Sequence, residues 1–186
     1  MPILSKEPSL YPDDLLNENR TFNPDESWFA MYTLARHEKE LVRKLRAQKI
    51  AHYCPLAESR KRSPSGRIRV SYLPLFTGYV FVCGTEVQRS DAVATGCISR
   101  CLNVTDGDDL RDDLRRILLL TEKGNEVRPE PKPLVGRRAV VKVGAMKGAV
   151  GTVTKEHGGH RLTVLVRFMQ QGASVQIDEA DLEFLD

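Results

Sequence analysis

Cysteine, histidine and methionine occur only four times each in this 186-residue chain, and tryptophan once. The cysteines, Cys54, Cys83, Cys97 and Cys101, form no C-x-x-C pair. Cys97 and Cys101 share a strand-like run, where four residues span roughly 13 Å, too far for a disulfide within the strand. Buried reduced thiols are therefore expected, as suits the cytosol. No apolar run approaches the about 20 residues that cross a membrane. The N-terminus is acidic and polar, unlike a secretory signal, so a cytoplasmic protein without a membrane partner is expected. Of the histidines, His157-Gly158-Gly159-His160 reads as a hairpin tip and has no third metal ligand nearby; His37 and His52 stand alone. Ser63 and Ser65 have no base near them in sequence. Asp108-Asp109 and Asp112-Asp113 fall at a helix start, where the helix dipole accounts for them. No glycine loop cradles a phosphate. A non-enzymatic protein is expected, with no metal and no cofactor.

What is present is an uneven charge. The net charge is +3, yet residues 1–27 carry −4 and residues 28–104 carry +8. A basic segment of that size favours a polyanionic neighbour. Residues 1–26 hold Pro2, Pro8, Pro12 and Pro24, many acids and little periodicity. They read as a flexible acidic tail, whose Tyr11, Leu15, Leu16 and Phe22 could dock. Folding of this tail over the basic segment would weaken contact with nucleic acid.

Hydrophobic residues make up 41% of the chain, enough for real cores. Trp28 to Leu34 alternates as a strand. A helix follows over His37–Ile50, with Leu41, Val42 and Leu45 in its apolar stripe. His52 to Leu56 starts a second strand. Arg60 to Arg69 is a basic hairpin or loop turning at Ser-Pro-Ser-Gly. Leu73 to Val82 is an aromatic strand, with Tyr79 and Phe81 on one face and Val80 and Val82 on the other. Residues 86–95 read as a helix, Cys97–Val104 as a strand, and Asp108–Thr121 as a third helix. This order predicts an α+β, ferredoxin-like domain over residues 27–123: an antiparallel sheet with helices on one face and Tyr79 and Phe81 on the open side. Residues 124–134, with three prolines between 129 and 133, read as a stiff linker. Residues 135–186 are rich in valine and punctuated by glycine, which predicts a small β-barrel and opposes a helical form.

Two segments together resemble the NusG family of transcription elongation factors. Val140–Val153 (VVKVGAMKGAVGTV) is similar to its KOW motif. Trp28-Phe29-Ala30-Met31-Tyr32, Arg36-His37-Glu38-Lys39 and Leu75-Phe76-Thr77-Gly78-Tyr79-Val80-Phe81-Val82 resemble its N-terminal (NGN) domain, and Gly96–Arg100 resembles the strand that closes that domain. The resemblance runs over residues 27–186. It implies an NGN domain followed by an SH3-like KOW barrel, with docking on the clamp helices of RNA polymerase through Tyr32, Phe76, Tyr79 and Phe81. It implies contact with upstream or non-template DNA through basic residues, for which Arg36, His37, Arg60, Lys61, Arg62, Arg67 and Arg69 are the candidates. It also implies a further partner, Rho or a ribosomal protein, at the KOW loop formed by Met146, Lys147 and Val150. That loop is shorter than in housekeeping members and lacks their aromatic residues, which, with the Arg36–Glu40 opening and the tail, points to a specialised paralog. A monomer is expected. The rival reading is an RNA-binding module, RNA-recognition-motif-like or a ribosome-associated KOW protein, with Tyr79 and Phe81 stacking on bases.

Overall fold

The computed structural model describes residues 6–121, 125–131, 136–156 and 159–185. In chain order its elements are β1 (Leu10–Tyr11), β2 (Ser27–Thr33), α1 (Glu38–Ala47), β3 (Ala51–Tyr53), β4 (Leu56–Arg62), β5 (Ile68–Pro74), β6 (Tyr79–Gly84), α2 (Glu86–Ala94), β7 (Ile98–Asn103), α3 (Gly107–Thr121), β8 (Arg128–Glu130), β9 (Arg137–Val141), β10 (Val150–Glu156), β11 (Gly159–Val166), β12 (Gln171–Ile177) and β13 (Leu182–Phe184), with 3-10 turns at Arg167–Met169 and Glu179–Asp181. They fall into two compact units, residues 6–56 with 74–111 and residues 57–73 with 112–185. None of the described helices is long and apolar enough to cross a membrane.

The first unit is built on an antiparallel sheet ordered β1-β3-β6-β2-β7. α1 forms because Leu41, Val42 and Leu45 make a buried stripe, with Glu38 and Glu40 in the first turn and Lys44 and Arg46 in the last, the signs that the helix dipole favours. It ends where Lys49 turns left-handed, at φ 56°. α2 starts in a capping box: the Thr85 N–H donates to Gln88 Oε1 at 2.9 Å, and the Gln88 N–H donates to Thr85 Oγ1 at 3.3 Å.

Register places Trp28, Ala30 and Tyr32 on the same face as their partners Cys83, Phe81 and Tyr79, with Phe29, Met31, Val80, Val82 and His52 on the other. α1 covers the His52 face, where Arg46 lies 5.4 Å over the ring of Tyr11, the register partner of His52. The start of α3 lies on the Trp28 face, for a Cβ on Gly107 would sit 2.9 Å from Trp28 Cδ1. Helices therefore cover both faces, not one as the element order suggested. The third helix was assigned by its chain position, which does not say which side of the sheet it takes.

Residues 6–26 are not a free tail. β1 pairs with the edge strand β3, Leu15 and Leu16 are buried, and Phe22 meets Trp28 at 6.4 Å between ring centroids. Leu10, Tyr11, Leu15, Leu16 and Phe22 are the apolar side chains that pin a largely polar stretch. His52 is sealed beneath this arm, its Nδ1 2.8 Å from the Ile50 carbonyl oxygen. Burial lowers its pKa to about 4, so the imidazole is neutral in the fold. The unfolded chain then binds the extra proton, and stability falls as pH drops from 6.5 toward 4, by up to about 3 kcal/mol. Urea midpoints at pH 7.5 and 4.5 should differ accordingly, and His52→Gln should flatten that dependence.

In the second unit, β4 and β5 form a separate hairpin, and six strands are ordered β13-β9-β10-β11-β12-β8. Ala139, Val141, Val153, Leu162, Val164, Val166, Ala173, Val175, Ile177 and Leu182 supply the buried side. Gly151 sits where a Cβ would lie 2.3 Å from the Thr163 carbonyl oxygen, a close approach of strands that requires glycine. Residues 128–130, in the proline-rich stretch, pair with Gly172–Ser174 as β8. The buried guanidinium of Arg161 donates to Ser174 Oγ at 2.9 Å, and that hydroxyl donates to Glu130 Oε1 at 2.5 Å. Linker residues 124 and 132–134 and the hairpin-tip residues His157 and Gly158 lie outside the described residues. Asp113 does not serve a helix start. It is buried seven positions in and accepts hydrogen bonds from the Arg167 N–H at 2.9 Å and from Arg116 Nη1 at 3.1 Å.

Candidate functional site

At one end of the first sheet three aromatic rings stand in a row. Tyr32 on β2 and Tyr79 on β6 are register partners, with ring centroids 5.2 Å apart at an interplanar angle of 67°. Tyr79 stacks on Phe81 at 6.4 Å and 14°. The row is graded in exposure. Tyr32 is 41% exposed, Tyr79 is half-buried and Phe81 is fully buried between its register partners Ala30 and Tyr53. Phe76 is also buried, at 2%. The sequence expectation of an open face displaying Tyr79 and Phe81 is thus corrected: that face is covered at Phe81, and Phe22 of the arm and the start of α3 lie on the same face at Trp28. Leu34, 43% exposed, extends the apolar surface just past Tyr32.

The turn before β6 explains how Tyr32 comes to be displayed. Gly78 holds φ +84°, and a Cβ there would lie 2.9 Å from Tyr32 Cε2. Only glycine lets the ring lie this close to the turn. The Gly78 N–H donates to Glu38 Oε1 at 2.7 Å, and its carbonyl oxygen accepts from the Thr33 N–H at 2.8 Å. Glu38 is 5% exposed, so a carboxylate from the first turn of α1 reaches under the aromatic row. In the sequence Glu38 stands out only as part of the Arg36-His37-Glu38-Lys39 segment that carries the resemblance. An acid in a first helical turn is ordinarily a solvated partner of the dipole, and nothing in its spacing marks it as buried. Cys54 lies close by, its thiol 3.9 Å from the Tyr79 carbonyl oxygen and pushed up to about 12 by burial, with the Glu38 charge adding to the effect.

The basic candidates divide between the units. In the first, Arg36 is exposed with φ 65°, a left-handed conformation uncommon for a long side chain. His37 caps α1 without a side-chain capping bond; its Nδ1 lies 2.9 Å from the Ala35 carbonyl oxygen and its Nε2 3.8 Å from Glu40. In the second, Arg60, Lys61, Arg62, Arg67 and Arg69 are all exposed on the β4–β5 hairpin, whose turn is closed by the Ser63 N–H donating to the Arg67 carbonyl oxygen at 2.8 Å. Arg60 is paired with Glu58, which leaves the hairpin tip the more available positive charge. The loop between β9 and β10 turns at Gly144 and Gly148, both at positive φ, with Lys147 exposed and Met146 and Val150 half-buried.

Comparison with known proteins gives this arrangement a context. The family described as transcription termination factor NusG matches residues 26–106. That span begins at the strand carrying Tyr32 and ends at the threshold of α3. No curated protein matches the chain in sequence. Among solved structures, one reporting domain interaction in Thermotoga maritima NusG superposes with a TM-score of 0.50 at 15% identity, covering 87% of this chain and 98% of that one. At this identity the likeness concerns the fold, and the six-stranded β unit is consistent with a KOW domain. Over residues 26–106 the chain is thus similar to the NusG family of transcription termination factors.

Proposed function

We propose that the chain docks on the clamp helices of RNA polymerase through the end of the sheet that displays Tyr32, and that it thereby modulates pausing or termination without doing chemistry itself. The observation that carries this is the graded aromatic row: an exposed ring backed by a half-buried and a buried one. Such a row gives a rigid apolar anchor at the rim of a solid core, the arrangement expected of an interface hot spot. Tyr32 and Tyr79 are the contact residues; Phe76 and Phe81 support them from below. Bridging the polymerase cleft would favour the closed clamp through differential affinity for that state. Arg36 and His37 and, separately, the hairpin arginines and Lys61 are suited to upstream or non-template DNA. Phosphate contacts of this kind position a protein without reading sequence and weaken with salt. Met146, Lys147 and Val150 form the KOW loop for a further partner, Rho or a ribosomal protein. Residues 27–123 act as the docking domain, and residues 135–186, joined to it through 124–134, as the recruiting domain of a specialised paralog.

The RNA-binding alternative needs Tyr79 and Phe81 both open for stacking, and the burial of Phe81 counts against it. The deciding experiment measures binding of the full chain to bacterial core RNA polymerase, wild type against Tyr32→Ala/Tyr79→Ala. Loss of at least about tenfold in affinity, with the fold intact, is expected for two hot-spot rings. Unchanged affinity would overturn the reading, as would polymerase-independent capture of single-stranded RNA through the same rings.

A further inference from the structure

We propose that Glu38 is a positioning residue for the docking face: its buried carboxylate holds the Phe76–Gly78 turn so that Tyr32 is presented edge-on against Tyr79. This rests on the docking reading above and goes beyond it, since Glu38 is nearly buried and is not itself a surface for a partner.

The geometry forms a short chain of causes. Oε1 of Glu38 accepts from the Gly78 N–H at 2.7 Å, a charge-assisted hydrogen bond to an amide otherwise without a strand partner. Gly78 in turn leaves no room for a Cβ beside the Tyr32 ring, and its carbonyl oxygen accepts from the Thr33 N–H, next to Tyr32 in the chain. Turn, ring and β2 therefore move together. The pairing of β2 with β7 shifts register between Tyr32 and Thr33, so the ladder on that side is irregular next to the displayed ring. The carboxylate adds a constraint from the helix side. Without it the turn amide would be left buried and unpaired, and the turn would be driven to open toward water.

Glu38→Ala, Glu38→Gln, Gly78→Ala and Leu41→Val would be compared in the full chain. Three quantities would be measured: affinity for core RNA polymerase, thermal midpoint, and the rate of iodoacetamide modification at Cys54, located by peptide mass spectrometry. Cys54 is 1% exposed beneath the turn and reports its opening without any polymerase. Glu38→Ala should weaken polymerase binding about tenfold, the scale of one buried hydrogen bond lost, and should speed Cys54 modification severalfold. Glu38→Gln keeps an oxygen acceptor and should restore both to within about threefold. Gly78→Ala, which displaces the Tyr32 ring directly, should reproduce the binding loss with Glu38 in place, and it serves if Glu38→Ala does not fold. Leu41→Val, one turn along α1, should lower the thermal midpoint yet leave binding within about twofold, which separates positioning from general stability.

Affinity unchanged in Glu38→Ala while Tyr32→Ala/Tyr79→Ala abolishes binding would overturn the proposal and leave the docking reading standing. Glu38→Gln as damaging as Glu38→Ala would also overturn it, because the charge and not the accepted hydrogen bond would then matter. If the tyrosine pair does not weaken polymerase binding, the docking reading fails, and Cys54 protection in Glu38→Ala still decides whether the carboxylate holds the turn.

Discussion

Phe81→Ala is expected to destabilise the protein by roughly 3–5 kcal/mol, whereas Tyr32→Ala, two ring positions away in the same row, is expected to cost only about 1 kcal/mol. Phe81 is fully buried, flanked by Ala30 and Tyr53 in register and stacked on Tyr79. Removing its ring empties a site that β2, β3 and β6 together cannot collapse. A loss of that size approaches the whole stability of an ordinary domain. The measurement is urea unfolding followed by the fluorescence of Trp28, the single tryptophan, buried on the same sheet face. The split matters for function. Phe81→Ala would abolish the proposed polymerase binding by unfolding the unit, so it is uninformative about contact. Tyr32→Ala leaves the core in place and tests contact alone. Equal urea midpoints for the two variants would mean that Phe81 is not a core ring and that the aromatic face is open after all.

Much of the first unit was legible because its elements follow simple periods. The alternation from Trp28, the apolar stripe of Leu41, Val42 and Leu45, and the helical reading of residues 86–95 each specify an element locally, and the structure places strands and helices there. The β character of the C-terminal region followed in the same way from its valines. What was not legible depends on three-dimensional neighbours. Period-two alternation shows that Tyr79 and Phe81 share a face, but it cannot say that α3 begins on that face or that Phe22 of the N-terminal arm meets Trp28 there. Glu38 and Asp113 have the spacing of ordinary helix acids, yet each is buried against a backbone N–H distant in sequence. Arg161, in a strand that reads as plain β, is buried with its guanidinium on Ser174. A charged residue whose partner lies 13, 40 or 54 residues away leaves no local trace.

Leu15→Ala is expected to destabilise the first unit by about 2–5 kcal/mol, and removal of residues 1–26 to do so further. Composition alone gives the opposite expectation, since a stretch with six acids among its first 27 residues looks dispensable. The energetic weight lies elsewhere. Glu7 pairs with Arg43 through two hydrogen bonds of 2.8 Å, but both side chains are substantially exposed, and exposed pairs contribute little to stability. Leu15 and Leu16, by contrast, are 0% and 2% exposed, and β1 occupies the otherwise open edge of β3. Glu7→Ala should therefore shift the urea midpoint far less than Leu15→Ala, and its small effect should fade with added salt. If Glu7→Ala matched Leu15→Ala, the arm would be held by charge, and the view of it as a screen over the basic segment would gain. If truncation left the midpoint unchanged, the arm would be a mere appendage. The expected ranking makes it a built-in part of the sheet: it shields a strand edge that would otherwise invite pairing with another chain, and it holds Arg46 through the Leu10 carbonyl oxygen at 2.8 Å. Arg43 and Arg46 are thereby engaged by the arm, which leaves Arg36 and His37 as the first unit's candidates under the proposed DNA reading.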